Sequence, residues 1–171
     1  MSTSAYDRDL DKRPANFVPL TPISFLKRSA LIYPDKVAVI DGERRFSYAE
    51  FEARCRRLAS WLASRGVGRG DTVSVLAPNV PALLEAHYAC PMLGAVLNAI
   101  NTRLDARTVA FILDHGEAKA FISDGSLSGV AKEALRLAKV RPVVVDVEAG
   151  EGERLGEIEY EEALAAVTAH V

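Results

Sequence analysis

Thr72-Val73-Ser74-Val75-Leu76 is a short apolar run, and Ala77-Pro78-Asn79-Val80-Pro81 follows it directly. The reading of this stretch decides the fold. The run has the length and β-branched content of a buried strand. The two prolines turn the chain into a helix, with Pro81 suited to a first helical position because its missing N–H has no partner there anyway. The helix is expected to run to about Leu93 and to be kinked or ended early by Pro91. Ala95 to Ile100 then reads as a second buried strand. A strand, a helix and a strand in so few residues form one unit of a parallel sheet, and chain chirality makes the crossover right-handed.

Downstream, the pattern repeats. Asp105 can cap a helix carrying Val109, Ile112 and Leu113 and ending at Gly116. Lys119 to Ile122 is a strand, Ser123 to Gly129 a loop, Val130 to Ala138 a helix and Pro142 to Val147 a strand. Glu148 to Glu159 is acidic and contains glycine, so it reads as a solvated loop before a last helix over Tyr160 to Val167. Upstream, Thr21-Pro22 opens a helix, with Leu20 and Phe25 placed for a hydrophobic staple; it stops before Tyr33-Pro34. Lys36 to Ile40, the turn Asp41-Gly42 and Arg45-Phe46 predict a hairpin. Ser47 and Glu50 form a capping box for a helix whose buried face is Phe51, Cys55, Leu58 and Leu62, and Gly66 ends it in the left-handed conformation. The expected fold class is α/β: a mostly parallel sheet with helices on both faces. Residues 1–16 read as a flexible arm and 17–171 as one α/β subdomain.

The chain has 171 residues, 49% hydrophobic, enough for one core. Its formal net charge of −2, with 21 basic and 23 acidic residues interspersed, gives no electrostatic reason to bind nucleic acid or an anionic membrane. The most membrane-like stretch, Val80 to Ile100, holds Glu85, His87, Pro91 and Asn98 and is no span. Met1 to Ala15 is polar, without the apolar run of a secretory signal. The two cysteines, Cys55 and Cys90, read as buried free thiols; they lack metal-ligand spacing and suit a reducing cytoplasm.

Catalytic chemistry is sparse. Gly66-Val67-Gly68-Arg69-Gly70-Asp71 invites a phosphate-loop reading, but it follows a helix and precedes a strand, so it is read as a tight turn. His87, His115 and His170 are scattered. His115 suits a helix C-terminus, and His87 a pocket wall. Asp114 and His115 are neighbours on a helix and do not face each other. From the residues, no catalytic side chain and no metal ligand emerges.

The order of segments carries more. Tyr33-Pro34-Asp35-Lys36-Val37-Ala38-Val39, Phe46-Ser47-Tyr48-Ala49-Glu50-Phe51, Arg69-Gly70-Asp71-Thr72-Val73, Ala77-Pro78-Asn79-Val80-Pro81, and Gly94-Ala95-Val96-Leu97-Asn98 with Asn101-Thr102-Arg103-Leu104 stand in the order and spacing of the AMP-forming acyl-CoA synthetases. Together they cover roughly residues 16 to 124, and the chain resembles the N-terminal subdomain of that adenylate-forming fold. The run Glu85 to Met92 looks most like the branch of medium-chain fatty acyl and methylmercaptopropionate CoA ligases. The resemblance implies a two-step reaction with ATP, Mg2+ and CoA: a carboxylic acid becomes an acyl-adenylate with release of pyrophosphate, and the CoA thiol then displaces AMP. It also implies a place in fatty acid metabolism. The family's Ser/Thr-Gly-rich phosphate loop, its Tyr-x-x-Thr-Glu motif, its ribose-binding Asp and the lysine of its mobile C-terminal domain are not in these residues. The chain is therefore read as ending just before the phosphate loop. Alone it is expected to be inactive and to bind no cofactor tightly.

Arg103 matches the family arginine that lies near the CoA nucleotide phosphates in some relatives. A planar, permanently charged guanidinium suits phosphate. The plainer alternative is that Arg103 holds a surface loop. Asn79 with Pro81 reads as a helix-start device, and Asn98 and Asn101 as satisfying backbone groups at a strand end. Peptide-synthetase adenylation domains and luciferase-like enzymes are lesser options within the superfamily. A different class is a non-catalytic binding or assembly module on the same fold. A sheet cut at its edge predicts self-association or a homo-oligomer.

Overall fold

A computed structural model describes residues 13–15, 17–148 and 152–169. The arm expected over 1–16 falls, apart from 13–15, outside the described residues.

Thr72 to Leu76 forms strand β3, and the sheet is built around it. The chain order is α1 (Pro22–Ile32), β1 (Val37–Asp41), β2 (Arg44–Ser47), α2 (Tyr48–Ser64), β3 (Thr72–Leu76), α3 (Pro81–Met92), β4 (Val96–Ala99), α4 (Ala106–His115), β5 (Ala118–Asp124), α5 (Ser128–Leu137), β6 (Val143–Val147), β7 (Ile158–Glu159) and α6 (Tyr160–Ala165). Five strands pair in the order β4-β3-β5-β6-β7, each parallel to its neighbours. The expected α/β class and parallel sheet are what the chain adopts.

Alternation along the strands sends side chains to two cores. Val73, Val75, Ala120, Ile122, Val145 and Val147 face α2, α3 and α6. Leu76 and Phe121 face α4 and α5, where Val109, Leu113, Ala131 and Ala134 are buried. A smaller cluster of Leu26, Phe51 and Cys55 fixes α1 and the β1–β2 hairpin onto the outer side of α2, with Phe51 edge-on to Tyr88 at 5.4 Å.

Helix starts follow the expected caps. Ser47 accepts from the Glu50 N–H, and Glu50 accepts from the Ser47 N–H at 2.7 Å. Asp105 accepts from the Arg107 and Thr108 N–H groups. Gly66 adopts φ +81°, the left-handed stop of α2. Pro91 lies in the last turn of α3, which ends one residue later.

Five details differ from the sequence reading. Leu20 is 82% and Phe25 55% exposed, so they bury little as a staple; Ser24 closes a capping box with Thr21 instead. β4 is an edge strand rather than a buried one, with Val96 52% exposed. β5 runs on to Asp124, a 3-10 turn occupies Gly125–Leu127, and α5 begins at Ser128. α6 stops at Ala165, before Val167. Within the segment read as a solvated loop, Ile158–Glu159 adds a fifth strand beside Val145–Asp146.

β4 leaves one side of its backbone unpaired, and exposed sheet edges recruit other strands. The isolated chain is expected to self-associate, with sedimentation velocity showing a concentration-dependent shift. Val96→Lys, a charge on that edge, is expected to abolish the shift.

Candidate functional site at the carboxyl end of the sheet

In open α/β sheets the ligand side lies beyond the carboxyl ends of the strands. Here that end is formed by the segments that leave β3 and β4. Pro78 to Val80 carries β3 into α3, and Asn101 to Leu104 carries β4 into α4. A cavity of about 290 Å³ opens between β1 and the start of α3. Its walls are mainly Val39, Ile40, Val80, Pro81, Leu83 and Leu84, with Asn79, Asp41 and His87 adding polar atoms. Asn79 makes no cap bond to α3: the N-cap is Val80, without a side-chain bond, and Pro81 alone is the helix-start device. His87 Nδ1 lies 2.8 Å from the Leu83 carbonyl oxygen. A carbonyl only accepts, so Nδ1 is the donor in this contact.

Arg103 is exposed in the β4–α4 loop. The loop is held by Asn101, whose side-chain oxygen accepts the Arg103 N–H at 2.9 Å. The guanidinium holds no partner among the described residues, so the turn does not depend on it. Asn98, expected to serve backbone, instead donates to Ser74 Oγ at 3.4 Å.

The glycine-rich turn at 66–71 is filled from within. Asp71 Oδ2 accepts the Gly68 N–H at 2.7 Å and the Lys119 ammonium at 2.9 Å. The Lys119 bond, then the Gly68 N–H, holds this carboxyl below its usual range. A carboxylate where a phosphate oxygen would sit rules out an anion cradle there. Asp114 and His115 are divided as expected: Asp114 accepts the N–H groups of Lys139 and Val140, while His115 stacks on Phe111. His170 lies outside the described residues.

A buried polar cluster was not anticipated. Glu85 on α3 is 0% exposed. It accepts from Arg54 Nε and from the Tyr160 hydroxyl, each at 2.6 Å. Arg54 also forks onto Glu161 at 2.6 and 2.8 Å and lies over the Phe46 ring. Burial raises the Glu85 carboxyl above its usual range, although the Arg54 hydrogen bond pulls the other way. Burial alone lowers Arg54, but its bonds to Glu161 and Glu85 win and it is raised. Partners 31 and 75 residues away leave no local signal in the sequence for this cluster.

Among the described residues no three His, Cys, Asp or Glu side chains come together to hold a metal ion. Burial pushes the Cys90 thiol up to about 12 and the Cys55 thiol higher still, so neither is a ready thiolate. No helix of the described residues is long and apolar enough to cross a membrane. At the carboxyl edge the described residues offer the exposed guanidinium groups of Arg103 and Arg107, a chemistry suited to phosphate.

Residues 26–168 match the family described as AMP-binding enzyme. The chain belongs to this family. Over 129 residues it is 48% identical to the peroxisomal acetate/butyrate–CoA ligase of Arabidopsis thaliana, a match covering 75% of this chain and 23% of the relative. It is 50% identical, again over 129 residues, to the peroxisomal benzoate–CoA ligase of the same plant, covering 75% of this chain and 22% of that one. The chain thus spans about a quarter of the length of the curated relatives it matches. Among solved structures, a benzoate CoA ligase from Burkholderia xenovorans superposes with a TM-score of 0.75 at 26% identity, over 86% of this chain and 28% of that one. Coronafacic acid ligase from Pectobacterium brasiliense superposes at 0.79 over 88% of this chain and 30% of that one; at 20% identity it supports the fold alone. The sheet and its flanking helices are those of the adenylate-forming enzymes.

Proposed function

We propose that this AMP-binding family chain supplies the N-terminal subdomain, residues 17–171, of an ATP-dependent acyl-CoA ligase. The longer protein joins a carboxylic acid to CoA through an acyl-adenylate, using ATP with Mg2+. The observation that carries this reading is identity near one half to proteins named as CoA ligases across three quarters of the chain. Relatives named for acetate, butyrate and benzoate favour a small carboxylic acid over the medium-chain branch that Glu85 to Met92 resembles. Two buried thiols suit a reducing compartment, and the cytoplasm is the reading carried from the sequence. The plant relatives' names say peroxisomal of those proteins.

Within that enzyme, Arg103 is our candidate contact for the CoA phosphates, because its guanidinium is exposed and has no partner among the described residues. The test is the longer protein assayed with ATP, CoA and small acids. Acyl-CoA and AMP are expected in equal amounts, and their absence with every acid would sink the reading. Arg103→Ala is expected to raise the KM for CoA about tenfold, the worth of one charge-assisted hydrogen bond. Adenylate formation, read by ATP–pyrophosphate exchange, stays unchanged because CoA enters only afterwards. An unchanged KM for CoA would remove Arg103 from the site and leave the ligase reading standing.

A further inference from the structure

We propose that β7 and α6, residues 158–165, open and close as one unit on an intact four-strand sheet, and that Glu85 is the latch. The unit is held by little regular structure. β7 has two residues, paired with Val145 and Asp146, and α6 has six. A helix that short has no stability of its own and depends on docking. Its polar docking onto α2 and α3 is concentrated at its first two residues: Tyr160 donates to Glu85, and Glu161 receives the fork of Arg54, which also holds Glu85. The Tyr160–Glu85 and Glu161–Arg54 bonds therefore form and break together, while Arg54 and Glu85 stay paired between α2 and α3. In the closed form Tyr160, Ala163 and Leu164 are buried in the core beside α2 and β6. In the open form that face is bared and β6 becomes a free edge able to accept another strand.

Native-state hydrogen exchange followed by mass spectrometry tests this on the 171-residue chain. Opening of a small unit exposes little surface, so its exchange is insensitive to low urea, whereas global unfolding responds steeply. The expected result is exchange of 158–165 at least tenfold faster than that of 118–124 and flat in low urea. Tyr160→Phe, which keeps the ring and removes one hydrogen bond to a charged group, raises that flat exchange at least tenfold. Leu113→Ala, in the core on the opposite face of the sheet, destabilises the open and closed forms alike. It therefore accelerates 118–124 and leaves the flat exchange of 158–165 unchanged. Two results would overturn the proposal: exchange of 158–165 with the urea dependence of 118–124, or flat exchange that Tyr160→Phe does not move. Glu85→Gln is a second reading of the latch, with the same direction expected; because Tyr160→Phe is nearly isosteric, the test does not depend on the Glu85 variant folding.

Discussion

Arg54→Ala is expected to lower the folding stability of this chain by about 3–5 kcal/mol, the usual penalty when one member of a buried pair is removed. A domain of this kind has only about 5–15 kcal/mol in total, so the variant will sit near the edge of folding. The loss does not come mainly from Glu161, whose side chain is half exposed and whose bridge is worth little on its own. It comes from Glu85, which has no exposure and would keep only the Tyr160 hydroxyl. A urea titration monitored by the fluorescence of Trp61, the one tryptophan in the sequence, measures it. Adding Glu85→Gln to Arg54→Ala is expected to recover part of the loss, since the stranded charge is then gone. A double variant as unstable as the single would place the cost in packing and not in charge.

The same pair sets a pH dependence. Burial raises the folded pKa of Glu85, so its contribution is present below the unfolded carboxyl value and is lost as pH rises through the folded value. Glu161 is lowered, first by its bond to Arg54, so its contribution is present above the unfolded value and is lost as pH falls through the folded one. In the wild type the two oppose each other. Arg54→Ala removes the Glu161 term and sharpens the Glu85 term. The stability gap between variant and wild type should therefore narrow on acidification from pH 7 toward pH 4.

Much of this architecture was legible because it depends on short-range rules. The Ser47–Glu50 capping box, the hairpin turn at Asp41-Gly42 and the apolar run of β3 each show within a few residues. Family order then identified the sheet and singled out Arg103. Long-range choices left no such trace. Val96 to Ala99 has the composition of a buried strand, and only its place at the end of the strand order exposes it. Glu85 argued against a membrane span but gave no hint of Arg54 or Tyr160, which reach it from other helices. In 148–159, charge and glycine signalled solvent, yet Asp146 is buried and accepts N–H bonds from Leu155 and Gly156. Two residues of strand are too few for a period to register.

That segment yields the second large effect. Gly156→Ala is expected to destabilise the chain by about 1–3 kcal/mol, the range for overpacking a tight site. A Cβ at this position would stand 2.5 Å from the Val144 carbonyl oxygen and 2.8 Å from its carbon, and backbone cannot swing aside as a flexible side chain can. Relief requires the loop to lift off β6. That lift pulls on the Gly156 N–H, bonded to Asp146 at 2.7 Å, and on the pairing of Ile158 with Val145 just beyond it. The damage should therefore spread into β7 and α6, with faster exchange at 155–165. Gly129→Ala is the contrast. It lies exposed in α5 with nothing within 4 Å of the added carbon, and alanine there restricts the unfolded chain, so a gain of about 0.5–1 kcal/mol is expected. Urea midpoints that move in opposite directions would establish that the close approach of Gly156 to β6, and not the loss of a glycine as such, fixes the path of the chain into its last strand. Equal shifts would mean that the loop yields freely and that Asp146 alone holds it.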